Sequence, residues 1–282
     1  MSQLFVPLRD GRAIPAVGLG VWQLDDTEAV VSTAIETGYR LIDTAAIYGN
    51  EAEVGRAVRA SGLARSELTV TTKLFNTEHG ADRAGAAVQR SLDALGLDHI
   101  DLYLIHWPLP GIDRYVETWE ALLPLRDSGV IRALGVSNFL PSHIERLIRE
   151  TGEAPVLNQV ERHPYLSQAE LLAYHASVGI ATQVWSPLAN GRVLRDPVLQ
   201  GIADARGRTV AEVVLRWQLQ AGVAVIPKAS TRERLAQNLA VAELELNDAE
   251  LAAIAALEDG TRTGDDPATY NGKGMPPSAT PY

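Results

Sequence analysis

Four polar residues in the first half of the chain could perform acid-base chemistry. Asp43 ends the apolar run "YRLID" and Tyr48 follows five residues later, while Lys73 lies near the end of "LTVTTKL". A free phenol has a pKa of about 10, so proton exchange near pH 7 faces a mismatch of roughly 4 kcal/mol. A neighbouring ammonium lowers that pKa. We therefore expect Lys73, neutralised and oriented by Asp43, to let Tyr48 act as an acid.

The fourth residue, His106, directly follows the apolar run "IDLYLI". A neutral His106 would hydrogen-bond the same substrate oxygen as Tyr48 and orient it. Together these groups suit carbonyl reduction, because a hydride that reaches the carbonyl carbon leaves alkoxide character on the oxygen. Tyr48 would protonate that oxygen while Lys73 and His106 stabilise its charge. No side chain supplies a hydride, so this chemistry requires a cofactor.

Eight short apolar or β-branched runs alternate with segments of helical periodicity, which predicts parallel strands joined by helices. The runs are "AVGLGV", "YRLID", "LTVTTKL", "IDLYLIHW", "VIRALGV", "VLNQV", "IATQVW" and "VAVIP". Eight such pairs in about 250 residues are typical of a (β/α)8 TIM barrel. We predict one barrel domain over residues 1–282, with the four polar residues at its carboxyl-terminal rim. A doubly wound open sheet is disfavoured because its fingerprint has only a near match, "GLGVWQ", which lacks the third glycine.

The ends of the chain have their own patterns. "LFVPL" and "AIPAV" flank Asp10-Gly11, a pair typical of hairpin turns, so we predict an N-terminal β-hairpin that covers the bottom of the barrel. From Gly260 the chain is rich in Gly, Pro and Thr, which predicts an irregular C-terminal tail that could wall the active site.

Pro124 is expected to interrupt or kink the helix after the fourth strand, because proline removes a backbone donor.

Composition excludes several classes of function. The chain has 35 acidic and 25 basic residues, a net charge of −10, and no cysteine. This balance would repel nucleic acid and anionic membranes, and it favours a small-molecule partner, here a carbonyl substrate. No disulfide framework, metal-ligand spacing or targeting segment is present, so we predict a metal-free cytoplasmic protein, and a monomer.

The remaining strand ends suit a nicotinamide nucleotide. Ser137, Asn138 and Gln159 offer the donors and acceptors that a carboxamide needs, and Trp185 offers a face for ring stacking. Alternatively, Trp185 is only a core aromatic at the barrel rim.

The segment "IPKASTRERLAQN" follows the last run. Ser230 and Glu233 fit a capping box, which would begin a helix there. Lys228 and Arg234 flank this helix start, and such an arrangement binds anions. We therefore predict NADPH as the preferred cofactor, with NADH possible. The alternative is that both cations are solvated surface charges.

An ordered series of motifs gives the chain a resemblance to the aldo-keto reductases. The motifs are "GLGVW", "DTAAIYGNEAEVG", "TKL", "LYLIHWP", "GVSNF", "NQVERHPY", "WSPLANG" and "IPKASTRERLAQN", and they cover nearly the whole length. The resemblance implies a catalytic tetrad of Asp43, Tyr48, Lys73 and His106. Within the family, "YGNE" and the Trp185 position resemble the bacterial branch that includes 2,5-diketo-D-gluconate reductase.

The resemblance also implies binding residues. The cofactor contacts would be Gly20, Val21, Trp22, Asp43, Ser137, Asn138, Gln159, Trp185, Ser186, Pro187, Leu188, Lys228, Ala229, Ser230, Thr231, Arg234, Gln237 and Asn238. The substrate would contact Trp22, Tyr48, His106 and Trp107. Ala229 and Gln237 depart from the serine and glutamate common in the family, which bears on cofactor affinity. The aromatic mouth would admit many small carbonyl compounds.

Two other functions compete with carbonyl reduction. One is a regulatory protein that binds the nucleotide on the same fold with little turnover; the complete set of four polar residues argues against it. The other is a barrel hydrolase that uses Asp43 and His106, but it gives no role to Trp185 or to the Lys228 region. Reduction is therefore the favoured hypothesis.

Overall fold

The computed structural model describes residues 4–272, and its first element is the predicted hairpin. Strands β1 (Phe5–Pro7) and β2 (Ala13–Pro15) pair antiparallel across the turn at Gly11. Val6 and Ile14 are buried and pack with Leu102 and Leu157, which lie near the starts of their strands. The hairpin thus closes the amino-terminal end of the strands, and this prediction is confirmed.

Eight parallel strands follow, in sequence order around the sheet. They are β3 (Leu19–Gly20), β4 (Leu41–Asp43), β5 (Thr69–Leu74), β6 (Ile100–Ile105), β7 (Ile131–Ser137), β8 (Leu157–Glu161), β9 (Ala181–Trp185) and β10 (Ala224–Val225). Most of their residues are buried on both faces, as in a parallel sheet covered by helices. Six of the eight predicted runs contain one of these strands in full, and β7 and β8 each extend one residue beyond the predicted run.

Backbone hydrogen bonds join the last strand to the first. Val225 N–H donates to Ala16 O and Gly18 N–H donates to Val225 O, both at 2.8 Å. Gly20 lies at the same seam, where a Cβ atom would come within 2.6 Å of the Ile226 carbonyl oxygen. Only glycine allows so close an approach of the two strands. The predicted (β/α)8 barrel is confirmed.

Ten helices accompany the strands in the described part of the chain. They are α1 (Thr27–Thr37), α2 (Glu51–Ala60), α3 (Ala84–Leu95), α4 (Tyr115–Asp127), α5 (Pro141–Thr151), α6 (Ala169–Ser177), α7 (Pro197–Arg206), α8 (Val210–Gln220), α9 (Arg232–Ala240) and α10 (Asp248–Ala255). Most of their apolar faces pack on the strands in one large core. Helices α7 and α10 pack with part of α8 in a second apolar cluster. Within residues 4–272, no helix is long and apolar enough to cross a membrane.

Helix α4 does not stop at Pro124. It continues to Asp127, and Ser128 N–H donates to the Pro124 carbonyl at 3.0 Å. The expected interruption is therefore absent. Proline removes a single backbone N–H donor, and the helical backbone hydrogen bonds resume one turn later.

The carboxyl-terminal segment crosses the rim without regular structure. Residues 256–272 contain no helix or strand, as expected for most of this stretch. Tyr270 packs against Trp107 with ring centroids 4.6 Å apart and planes tilted by 54°, so this part of the tail lies over the loop that follows β6. The predicted tail beyond residue 272 falls outside the described residues.

Candidate active site

A buried ion pair forms the centre of the site. The Lys73 side chain has no exposed surface, and its Nζ lies 2.5 Å from Asp43 Oδ1 and 2.8 Å from the Thr44 carbonyl oxygen. Burial by itself would lower the pKa of Lys73, but Asp43 and Tyr48 outweigh it and raise the pKa above its ordinary value. The lysine is therefore a permanent cation at neutral pH.

The strand register explains why these two residues meet. In the pairing of β4 with β5, Asp43 lies opposite Thr71. Lys73 is two residues further along β5, so its side chain points to the same face as that of Thr71. Adjacent parallel strands thus place an acid and a base side by side at the rim.

Tyr48 stands beside the ammonium. It ends a 3-10 turn, Ala46–Tyr48, that follows β4, and Lys73 Nζ lies 5.2 Å from the centroid of its ring. Burial raises the pKa of Tyr48, and Lys73 opposes that rise without cancelling it. The expected net lowering by the ammonium is thus not seen here, because removing a phenolate from water costs more than one neighbouring cation returns.

His106 faces the same phenol. Its ring centroid lies 6.0 Å from that of Tyr48, at an interplanar angle of 76°. Burial, together with the charge of Lys73, lowers the pKa of His106 well below its usual value. The imidazole is therefore neutral at physiological pH, so it can offer one N–H donor and one acceptor nitrogen. Its Nδ1 has no hydrogen-bond partner among residues 4–272.

A chain of hydrogen bonds connects this group to the neighbouring strand ends. Gln159 Nε2 donates to Asp43 Oδ2 at 2.6 Å, and Ser137 Oγ donates to the Gln159 carbonyl at 2.9 Å. Asn138 Nδ2 donates to Ser137 Oγ at 3.1 Å, and its Oδ1 accepts from Trp185 Nε1 at 2.8 Å. The polar residues and the indole are therefore held in a fixed arrangement beside the ion pair.

A third group lies at the start of α9. Thr231, rather than Ser230, caps the helix, and its Oγ1 accepts from Arg234 N at 3.3 Å. The predicted capping box of Ser230 and Glu233 is therefore wrong; Thr231 is an equally good cap one residue later. Lys228 and Arg234 are both exposed near this helix end, and Arg234 forms no ion pair with any described residue. Free backbone N–H groups and two cations favour an anion here.

Comparison with known proteins decides the family. A family model described as "Aldo/keto reductase family" matches residues 16–259. A Mycolicibacterium smegmatis protein named aldo-keto reductase is 50% identical over 268 residues, which cover 94% of this chain and 98% of that protein. The chain belongs to the aldo/keto reductase family. The resemblance carried by its motifs is confirmed.

Two further relatives narrow the comparison within the aldo/keto reductases. The methylglyoxal reductase DkgA of Escherichia coli is 46% identical over 271 residues, which cover 95% of this chain and 98% of that protein. The crystal structure of a variant of the protein Gox0644 in complex with NADPH superposes on this chain with a TM-score of 0.92 and 42% sequence identity. The match covers 96% of this chain and 99% of the Gox0644 chain.

Most of the predicted residues of this aldo/keto reductase lie in three groups: the tetrad, the hydrogen-bonded strand ends and the start of α9. Gly20 and Val21 lie at the end of β3, and the half-exposed Trp22 has its ring 6.4 Å from Tyr48. The remaining expected contacts lie next to the second and third groups in the chain: Ser186, Pro187, Leu188, Ala229, Gln237 and Asn238.

Three residues near the rim were missed by the sequence patterns. Glu161 ends β8 two residues after Gln159, and Gly264 and Tyr270 belong to the carboxyl-terminal segment. Alternation along the strand was a usable signal for Glu161, because residues 159 and 161 point to the same face. The two tail residues have no such signal, since their placement depends on contacts distant in sequence.

Proposed function

We propose that this protein reduces aldehydes or ketones to alcohols with NADPH, and that Tyr48 is the general acid. The observation that carries this proposal is the buried Lys73–Asp43 pair beside the Tyr48 ring, with the neutral His106 ring 6.0 Å from the same phenol. The proposal is supported by membership of the aldo/keto reductase family.

The donor set fits a nicotinamide nucleotide. The Trp185 indole is held by Asn138, and the neighbouring side chains carry amide and hydroxyl groups that match a carboxamide. The start of α9, with Lys228 and Arg234, would hold the phosphate that distinguishes NADPH from NADH. The relative crystallised with NADPH supports this choice. When bound, NADPH supplies the hydride.

The residues of this chain then control the oxygen and its proton. Tyr48 donates its hydroxyl proton to the carbonyl oxygen as negative charge develops there. Lys73 stabilises the tyrosinate that remains, and Asp43 keeps the lysine in place through the 2.5 Å contact. His106, being neutral, donates a hydrogen bond to the same oxygen and orients the substrate. We place all of these groups in one domain over residues 1–282, because the ring of strands draws on most of the chain.

A screen of carbonyl compounds tests the proposed function. Methylglyoxal is the first probe, because a relative is named for its reduction; keto-sugars and aromatic aldehydes follow. Loss of reduced-nicotinamide absorbance should be seen with NADPH and, more weakly, with NADH. Tight NADPH binding without turnover on any compound would instead favour a nucleotide-binding regulatory role.

Arg234→Ala should weaken NADPH binding by about 10- to 150-fold and leave NADH binding nearly unchanged. A charge-assisted contact to phosphate contributes about 1.5 to 3 kcal/mol, and NADH lacks that phosphate. Titration of each nucleotide measures the two affinities. Arg232→Ala is the matched control, because Arg232 lies on the same helix start but is paired with Glu36. Equal losses for NADPH and NADH would contradict the phosphate assignment.

The pH dependence of reduction should be flat across neutrality. An acid whose pKa is raised stays protonated to higher pH, so Tyr48, whose pKa burial raises above that of a free phenol, keeps its proton throughout the neutral range. A base whose pKa is lowered stays neutral to lower pH, so His106 does not charge until the pH is well below about 6.5. We expect kcat at saturating NADPH to be constant from about pH 7 to 9. A tenfold fall within that window would contradict these assignments.

A further inference from the structure

Glu161, the last residue of β8, is a buried carboxylate that holds the carboxyl-terminal segment. Its side chain has no exposed surface. Oε1 accepts from Thr263 N at 2.6 Å and from Thr263 Oγ1 at 2.5 Å, and Gly264 N lies 3.3 Å from both carboxylate oxygens. His163 Nε2 lies 3.1 Å from Oε1. The strongest of these contacts reach 102 residues along the chain, to a segment without regular structure.

The carboxylate is ionised despite its burial. Burial would raise the pKa of Glu161, but the contacts from His163 and Thr263 outweigh it and hold the pKa below its usual value. A charged acceptor that faces several donors binds them more strongly than a neutral one. Glu161 is therefore a firm anchor for residues 262–264.

The anchored segment lies directly on Trp185. Glu161 and Trp185 are register partners on β8 and β9. A Cβ atom on Gly264 would come within 2.4 Å of Trp185 Cη2, so the backbone of the segment touches the benzo end of the indole. Asn138 Oδ1 accepts from Nε1 at the opposite end. The indole is thus fixed at both ends, once by Asn138 and once by the segment that Glu161 holds.

We propose that Glu161 is a positioning residue for the nicotinamide end of the cofactor, and that it acts by holding Gly264 against Trp185. The proposal rests on the proposed function, in which the Trp185 indole receives the nicotinamide ring. Glu161 makes no hydrogen bond to the tetrad within residues 4–272, so it acts on the indole and not on the proton transfer. Its influence should be confined to the nicotinamide end, because no hydrogen bond or ion pair joins Glu161, Gly264 or Trp185 to Lys228 or Arg234 in the described part of the chain.

Gly264→Ala tests this directly, because Gly264 is exposed and the three atoms nearest to the added methyl group all belong to the Trp185 ring. The measurements are dissociation constants for NADPH and for adenosine 2′,5′-bisphosphate, which has the phosphates without the nicotinamide. We expect NADPH to bind about threefold to tenfold more weakly, since an aromatic contact is worth that much, and the bisphosphate to bind unchanged. Gly201→Ala is the matched control, because a methyl group there has open space, and it should alter neither affinity.

Two variants at the anchor itself separate positioning from general stability. Thr263→Val removes the hydroxyl that donates to Glu161, and Glu161→Gln removes the charge of the acceptor. Both variants should bind NADPH more weakly and adenosine 2′,5′-bisphosphate unchanged, as expected for Gly264→Ala. Thr263→Ser keeps the hydroxyl and should retain the affinity of the wild type. Tryptophan fluorescence of the nucleotide-free protein reports on Trp185 without any enzymatic turnover. The fluorescence should change in Gly264→Ala and stay unchanged in Gly201→Ala.

The outcomes distinguish this inference from the proposed function. If the wild type binds NADPH and reduces carbonyl compounds while Gly264→Ala, Thr263→Val and Glu161→Gln keep full NADPH affinity, Glu161 has no positioning role. Equal weakening of NADPH and of the bisphosphate would also overturn it, because that result indicates a general loss of structure. If the wild type binds no NADPH, the proposed function itself fails.

Discussion

Tyr48→Phe should lower kcat for carbonyl reduction by about 100- to 10,000-fold, the range that general acids contribute. The variant keeps the ring that packs beside both Lys73 and His106 and loses only the proton donor. NADPH affinity should therefore stay within about twofold of the wild type. Steady-state rates with methylglyoxal and direct nucleotide titration measure the two effects.

The matched control for this variant is Tyr174→Phe. The Tyr174 hydroxyl is buried and has no hydrogen-bond partner among the described residues, and it lies on α6 away from the rim. Its removal should leave kcat unchanged and stability the same or slightly higher, because no bond is lost. Full activity in Tyr48→Phe would exclude Tyr48 as the acid and would assign the proton to another group.

Lys73→Met should abolish most activity and also destabilise the fold by about 3 to 5 kcal/mol, which is the usual cost of breaking a buried pair. Stability is lost because Asp43 would be left buried without its partner. Burial already raises the pKa of Asp43, so the unpaired carboxyl either keeps an uncompensated charge or takes up a proton, and each costs free energy. Urea unfolding at neutral pH measures the stability, and single-turnover reduction with bound NADPH measures the chemistry.

The double variant Lys73→Met with Asp43→Asn separates these two effects. Neutralising Asp43 removes the uncompensated charge, and the amide oxygen introduced at this position can still accept from Gln159 Nε2. Much of the lost free energy of unfolding should return, whereas activity should not, because the ammonium beside Tyr48 is still absent. Recovery of activity in the double variant would mean that Lys73 serves only to neutralise the buried Asp43 carboxylate and is not needed beside Tyr48.

Strand periodicity predicted the sheet well because each run is buried on both faces and needs no distant information to be recognised. β5 is an example: "LTVTTKL" contains Thr69–Leu74, and all but its first residue are buried. Helix boundaries were harder to predict. At α9 two adjacent residues, Ser230 and Thr231, are both good caps, and the choice between them depends on how the chain leaves β10.

The tetrad shows how far local patterns reach. Asp43, Lys73 and His106 each come at or just after the end of an apolar strand, so closure of a parallel barrel brings them to one rim whatever the details of packing. The protonation behaviour of the group was harder to predict. Burial raises the pKa of Tyr48 more than Lys73 lowers it, and the extent of burial is a property of the folded rim.

By itself, the sequence determined the barrel, the family and the identity of the polar residues at the strand ends, because each of these depends on short-range periodicity or on contiguous motifs. Only the tertiary structure decided that Glu161 anchors Thr263 and that Gly264 rests on Trp185. Those contacts join residues that are far apart in the chain through an irregular segment. The periodicity of the sequence does not predict such contacts, since they depend on where the folded chain crosses the rim of the barrel.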